Sequence, residues 1–470
     1  MEFFSAYILI FLTIMLALYI FVQGARGTVE ILSTRNMFLL GLIIFQMTGP
    51  ATSILSGMLA EYQPAELSKT SVIYTSMLTV FLGLFLVIYQ GSGKFIDKLL
   101  SKRQQVRTNY SAIGLMLIAA ATIPIGILCQ FGLVYIPVLG PGFHVLGFGI
   151  YAIGAGLASW VWFKRFYNPV FFTMAVAIIL VAMGLTFYQN FGRRPLLGIV
   201  AIIGWAAYYS HWRSLGFRSV MMRGALVAGG GFFLLAIFTS VREGDFMKRS
   251  AFENISSLKG GTFSTGAISL LAGQEAGMNS MWIIESRPDS KDYDTLHSLR
   301  SVITYPIPRS IWPEKPIGLS IQIPQQEQKI RNVSRHINIG PGIIGHIEND
   351  NPFIALWLYP FILAFYFRFL DRVVIWNPDN PFLVLPMGAA LGQFIAIPRG
   401  ELGAFFFAGT LNVVGSLVIM LVISYILKTF GIISKSTDDE YYETDEYQDQ
   451  YSDSDSYSDE HEDAYSEGAW

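Results

Sequence analysis

Long apolar runs alternate with short polar stretches along most of the 470-residue chain. A run of this kind can cross a hydrocarbon layer of about 30 Å as a single helix. The runs lack the short alternating segments of a membrane barrel, so we predict an all-α polytopic membrane protein. About eleven transmembrane helices are expected, at residues 3–23, 37–60, 70–90, 111–131, 145–163, 169–189, 196–211, 224–241, 352–370, 381–398 and 402–427.

The apolar pattern divides the chain into four parts, the last of which is the C-terminal segment 428–470. An N-terminal bundle of about eight helices covers residues 1–241, and about three more helices cover 352–427. Between them, residues 242–351 form the only long polar stretch, which we predict to be a large loop outside the bundle. Asp350 or Asn351 is expected to cap the helix that follows it. The first run lacks a preceding basic segment, so it is not expected to be a cleaved signal peptide.

The net charge of −2 combines two regions of opposite sign. Residues 435–470 contain one lysine and fourteen acidic residues, which gives −13. The remainder contains 31 basic and 20 acidic residues, which gives +11. Because the C-terminal segment has almost no aliphatic side chains, we predict that residues 428–470 form a disordered acidic tail. The single cysteine, Cys129, excludes an intramolecular disulfide.

The distribution of basic residues predicts the orientation in the membrane. Such residues concentrate in cytoplasmic loops, and the 91–110 loop carries five of them against one aspartate. Counting helices from this loop places the tail in the cytoplasm and the 242–351 loop outside. Arg193, Arg194 and Arg399 fall on the outer side against this trend. Unless a helix is miscounted, they are candidate substrate-binding residues.

The predicted external loop suits a phosphate-bearing substrate. Its cations include Arg300, Arg309, Lys315, Arg331 and Arg335. Arginine holds phosphate oxygens in a planar fork and remains charged at all working pH values. These cations could equally pair with neighbouring acids or with lipid headgroups.

The same loop offers candidate proton acceptors in "RNVSRHINIGPGIIGHIENDNP". His336 and His346 could accept a proton near pH 7, although a histidine in such a position is often only structural. No GxGxxG, GxxxxGK[ST], HExxH or GxSxG motif accompanies them. We therefore expect no cofactor; the external position argues against a nucleic-acid partner, and the lack of a compact Asp/His ligand cluster argues against a metal.

The stretch "YPIPRSIWPEKP" at residues 305–316 contains four prolines. Proline fixes φ and removes backbone donors, so we predict a stiff, extended strap rather than a helix. Its Trp312 suits the membrane interface, because the indole ring has an apolar face and a polar edge. The strap is expected to lie at the outer membrane surface.

Two stretches carry a resemblance to a known family. "IPRSIWPEKP" and "GPGIIGHIENDNPFIALWLYP" resemble the bacterial O-antigen polymerase family, which polymerises oligosaccharide repeat units and has a dozen or so helices. The family strap corresponds to Pro308, Arg309, Trp312, Pro313, Lys315 and Pro316, and its glycine-rich run to Gly342 and Gly345. Members often carry Glu after the glycine that corresponds to Gly345, whereas this chain has His346, with Glu348 two residues later.

The resemblance implies a membrane glycosyltransferase of the GT-C type in the bacterial cytoplasmic membrane. It would transfer a glycan from polyprenyl pyrophosphate to a second lipid-linked repeat unit, with a flippase or a chain-length regulator as a partner. Catalytic roles would fall to Arg309, His336, His346 and Glu348, and substrate binding to Trp312, Lys315, Arg331, Arg335, Arg193, Arg194 and Arg399. An O-antigen-type ligase, a lipid-linked oligosaccharide flippase and a receptor remain alternatives.

Overall fold

The computed structural model describes residues 1–27, 29–57, 64–100, 110–136, 139–189, 193–243, 276–288, 291–331 and 339–431. Side chains of residues 187–189, 193–194, 234–235, 237–243 and 326–331 are not described. The first ten helices are α1 Glu2–Ala25, α2 Thr34–Leu42, α3 Gly49–Ser56, α4 Leu67–Gly91, α5 Gly93–Leu100, α6 Ala112–Ile127, α7 Gly140–Lys164, α8 Pro169–Gln189, α9 Arg193–Ser210 and α10 Phe217–Glu243.

Eight further helices complete the described chain. They are α11 Ala276–Ser286, α12 His297–Thr304, α13 Leu319–Arg331, α14 Gly342–Asn349, α15 Pro352–Trp376, α16 Pro381–Ala389, α17 Leu391–Ala396 and α18 Leu402–Thr429. Short π-helical turns at Ile43–Thr48 and Leu128–Gly132 continue α2 and α6. Described residues form no β-strand, so the all-helical fold class is confirmed.

Eight stretches in the described part are long and apolar enough to cross a membrane. They are Glu2–Ala25, Thr34–Ser56, Leu67–Gly91, Ala112–Tyr135, Gly140–Lys164, Pro169–Thr186, Pro352–Trp376 and Leu402–Thr429. The predicted runs 196–211 and 381–398 fall on the shorter apolar helices Pro195–Ser210 and Pro381–Ala396. The run 224–241 lies within α10. A multi-pass membrane protein is therefore supported, and the count of eleven stays a prediction.

Helix α7 forms the centre of the N-terminal bundle. It packs against α6, α8, α9, α16 and α18, and most of its residues are buried. Glycine allows its closest approaches. A Cβ at Gly154 would lie 2.2 Å from Thr122 Oγ1 of α6, and one at Gly156 would lie 2.8 Å from Ile202 of α9. This close packing holds α7 against α6 and α9.

Two helices from the predicted external loop lie inside the bundle. Both α11 and α14 are almost entirely buried, and they pack against each other. Ser280 Oγ of α11 donates a hydrogen bond to the carbonyl of Pro341 at 2.8 Å. Gly342 has φ +74 and lies against Gln46 and Ser280, so only glycine fits there without strain. The described part of the segment 242–351 therefore includes two short apolar helices that pack in the core, and its predicted position outside the membrane stays a prediction.

The two ends of the bundle differ in the contacts that their residues make. At one end, Arg213 pairs with Glu30 at 2.7 Å and Arg372 pairs with Asp97 at 2.9 Å. We call this the basic end. At the other end, Glu285 of α11 accepts hydrogen bonds from the backbone of residues 65 and 66, and residues 339–343 lie against 398–399. We call this the loop end. Which end faces the cytoplasm stays a prediction.

Candidate functional site

The proline strap at residues 305–316 is a succession of turns. The backbone amides of Ile311 and Trp312 both donate to the carbonyl of Pro308, and that of Lys315 donates to Trp312. The strap is therefore not extended as predicted, because its few remaining amide donors close turns within the strap. Its far end is held by His297, whose Nε2 lies 3.1 Å from the carbonyl of Ile317.

The strap cations contact the strap itself. Arg309 is exposed, and its guanidinium donates to the carbonyls of Pro313 at 3.3 Å and Pro316 at 3.4 Å. Lys315 Nζ donates to the carbonyls of Tyr305 at 2.8 Å and Ile307 at 3.0 Å. Burial, and then the charge of Arg309, lowers the pKa of Lys315. These contacts stabilise the turns and leave the catalytic role of Arg309 a prediction.

Two further predicted residues, Trp312 and Arg399, are described in the structure. Trp312 is 39% exposed, as expected of an interfacial tryptophan. Arg399 lies between α17 and α18, with its guanidinium 5.6 Å from the centre of the Phe45 ring. Its carbonyl accepts a hydrogen bond from Gly342 at 3.1 Å, so its backbone positions the start of α14.

His346 is completely buried in α14. Its Nδ1 lies 2.6 Å from Ser298 Oγ of α12. Its Nε2 lies 3.2 Å from the carbonyl of Gly400 and 3.2 Å from the amide nitrogen of Leu402 at the start of α18. Both ring nitrogens therefore have partners within the protein. His346 thereby links α12, α14 and α18, and its predicted role as a proton acceptor for substrate stays a prediction.

Glu348 is the penultimate residue of α14 and is only 5% exposed. The hydroxyl of Tyr293 donates to its Oε1 at 3.4 Å. Burial raises the pKa of the Glu348 carboxyl to about 7, against the opposing effects of the Tyr293 hydrogen bond and the charge of Arg287. A carboxyl with this pKa can take up and release a proton under physiological conditions.

One cation, Arg287, acts on this carboxyl, and a second, Lys291, is near Arg287. Arg287, only 6% exposed, donates from Nη2 to Asn349 Oδ1, whereas its Nε and Nη1 have no partner among the described residues. Lys291 Nζ is buried and also lacks a partner within that part of the chain. Burial, and then the charge of Arg287, lowers the pKa of Lys291 to about 8, although Asp294 opposes this. We call Arg287, Lys291, Tyr293, Glu348 and Asn349 the buried cluster.

Neighbouring acids hold the cluster in place. Asp350 accepts hydrogen bonds from Asn349 Nδ2 at 3.0 Å, from the amide of Ser298 at 2.6 Å and from the hydroxyl of Tyr359 in α15. Asp294 pairs with Arg300 and lies 2.7 Å from His297 Nδ1. Asp294, Glu348 and Asp350 also act electrostatically on Arg287, but no described residue accepts a hydrogen bond from its Nε or Nη1 or from Lys291 Nζ.

For the remaining predicted residues, the structure describes no side chain. Arg193 and Arg194 begin α9 and Arg331 ends α13, but the side chains of these three residues are not described. Arg335 and His336 lie outside the described residues. In the described ranges, no group of three or more His, Cys, Asp or Glu side chains is placed to hold a metal ion.

Arg287 and Lys291 were not among the functional residues predicted from the sequence. Both occur in "ESRPDSKDYD", directly after the apolar helix α11, in a stretch dense in charges of both signs. This high density of charges is the sequence feature that could have identified the two residues. It does not reveal burial, which depends on the packing of α11 against α14, more than fifty residues later in the chain.

No protein-family model, curated protein or solved structure matches this chain.

Proposed function

We propose that this protein polymerises polyprenyl-pyrophosphate-linked oligosaccharide repeat units at a membrane surface. The observation that carries the proposal is the buried cluster, in which Arg287 acts on the Glu348 carboxyl, Lys291 is near Arg287, and both cations have N–H groups without a partner among the described residues. The sequence resemblance to O-antigen polymerases points to the same reaction. A multi-pass bundle suits a substrate whose lipid chain remains in the membrane.

Arg287 and Lys291 bind the pyrophosphate of the donor. As the bond between the sugar C1 and the phosphate oxygen breaks, the electron pair remains on that oxygen, and negative charge develops there. Guanidinium and ammonium groups in a water-poor site stabilise such charge strongly. Asn349 holds Arg287 through Nη2, which leaves the other edge of the guanidinium for the phosphate.

Glu348 acts as the general base. A hydroxyl of the incoming repeat unit attacks C1 and forms the new glycosidic bond, and its proton passes to the Glu348 carboxylate. The proton is later released to water, and polyprenyl pyrophosphate is the second product. Since only the deprotonated carboxylate accepts a proton, the reaction rate should rise with pH through about 7.

The glycans of cells that lack the gene test the proposal. A polymerase predicts surface glycans of single repeat units instead of a ladder of lengths. Bare acceptor together with finished polymer on its lipid carrier would show a ligase. Lipid-linked repeat units that fail to reach the outer face would show a flippase.

Complementation with Glu348→Gln tests the site. This variant should restore the protein to normal abundance without restoring the ladder, and any residual activity should lose its rise through about pH 7. A wild-type ladder from Glu348→Gln would remove Glu348 from the mechanism. Thr304→Ser, on an exposed hydroxyl bonded to its own helix, is a control that should complement fully.

A further inference from the structure

Two arginines are enclosed at the basic end, opposite the buried cluster. Arg35 is completely buried near the start of α2. Its Nε and Nη2 donate to Asn36 Oδ1 at 3.0 and 2.7 Å, whereas Nη1 has no partner among the described residues. Arg368 of α15 is half-buried, and its Nε lacks a partner in the same set of residues. Unpaired N–H groups in such positions are costly unless a ligand accepts them.

An aromatic ring brings these two cations together. The guanidinium carbons of Arg35 and Arg368 each lie 4.9 Å from the centre of the Tyr89 ring, so they are within about 10 Å of each other. The nearby carboxylate does not neutralise both. Asp371 already accepts from Thr34 N at 2.6 Å, Thr34 Oγ1 at 2.7 Å, Tyr89 OH at 2.7 Å and Arg35 N at 3.3 Å. Positive charge is therefore left in excess at this point.

The short helix α5 packs beside the pair. It begins against Arg368, since a Cβ at Gly93 would lie 2.5 Å from Arg368 Nη2. It exposes Phe95 and Leu99 on one side, and the Phe95 ring lies 5.8 Å from that of Phe365 in α15. Lys94, next to Gly93, is also exposed. An apolar side with lysine beside it is typical of a helix that lies in the membrane interface.

We propose that the junction of α4, α5 and α15 binds the phosphate of an anionic phospholipid. Arg368 contacts the phosphate through its guanidinium, and Arg35 contributes charge from behind the Tyr89 ring. Basic pockets between transmembrane helices bind anionic headgroups in this way. Phe95 and Leu99 contact the acyl chains. The site is independent of the proposed glycosyl transfer, because it lies at the other end of the bundle.

Native mass spectrometry and thermal unfolding of the full chain in detergent test this site. Phosphatidylglycerol should remain bound to the wild type and raise its Tm, and phosphatidylcholine should do so much less. Arg368→Gln should weaken phosphatidylglycerol binding about fivefold or more. Arg218→Gln, which removes an exposed cation near the start of α10, is the matched control and should bind like the wild type.

Three results would overturn the proposal. The first is equal stabilisation of the wild type by the two lipids, a comparison that does not depend on any variant. The second is an unchanged affinity for phosphatidylglycerol in Arg368→Gln, or an equal loss in Arg218→Gln. The third is the full Tm shift from inorganic phosphate alone, which would assign the site to a free anion instead of a lipid.

Discussion

The strap and the buried cluster each carry one arginine and one lysine, yet the two pairs differ in their exposure to solvent and in their hydrogen-bond partners. In the strap, Arg309 and Lys315 donate to carbonyls of the strap itself, and Arg309 is exposed. In the cluster, Arg287 and Lys291 are removed from water and keep N–H groups without partners among the described residues. A buried cation can act strongly on a bound anion, whereas an exposed one is screened by solvent.

This difference indicates which pair is suited to catalysis. A surface charge pair typically contributes about 0–1 kcal/mol, because water competes for the same groups. A donor aimed at developing charge in an enclosed site typically contributes about 3–4 kcal/mol. Burial displaces the pKa values of both Glu348 and Lys291, so keeping their charged forms in the cluster costs free energy. Titratable side chains whose pKa values are displaced in this way are candidates for function.

The largest effect is expected from Arg287→Gln. Loss of its N–H groups from the leaving pyrophosphate should reduce polymer formation by about 10² to 10³-fold. Arg287→Lys should recover only part of the activity, because an ammonium cannot reproduce the planar fork. The rate of ladder formation, normalised to protein abundance, measures this. Arg300→Gln removes an exposed, paired arginine from the same segment and serves as the control. Equal losses in the two variants would contradict a special role for the cluster.

The stability of the protein should also report on Glu348. Because its folded-state pKa of about 7 lies above the unfolded value near 4.5, the folded state binds the proton more tightly. Stability is therefore highest below about pH 4.5 and falls by about 3 kcal/mol as pH rises through 7. Glu348→Gln should remove this fall, as measured by Tm against pH in detergent. An unchanged pH profile in the variant would show that Glu348 is not the titrating group.

His346 should matter for folding more than for catalysis. His346→Ala leaves Ser298 Oγ and the backbone at residues 400 and 402 without their partner, at a cost of about 1–3 kcal/mol. Lower Tm and lower abundance are expected, with near-normal activity per folded molecule. A fully folded variant without activity would support the catalytic role that the sequence predicted.

The helices were largely predictable from the sequence, because each depends on a local apolar pattern. Pro352 begins α15, and the side chain of Asn351 caps it by accepting from Phe353 N at 3.2 Å, as one of the two expected caps. The buried cluster was only partly predictable. Glu348 was a candidate, but Arg287 was not, because its burial comes from contacts between helices distant in the chain. The burial of α11 and α14 was not predicted, since both helices are too short to resemble membrane spans, and the external position of the segment 242–351 stays a prediction.

The smallest effect is expected from Arg309→Gln, which tests the other side of the comparison. If the strap cations only stabilise its turns, the loss of two long hydrogen bonds at an exposed site should cost less than about 1 kcal/mol. Polymer formation should then change by less than about fivefold, with a ladder of normal length. A loss as large as that of Arg287→Gln would instead support the catalytic role that the family resemblance implies for Arg309. Since Arg309 lies on an exposed strap, that result would mean that the strap closes over the bound pyrophosphate and excludes water from it.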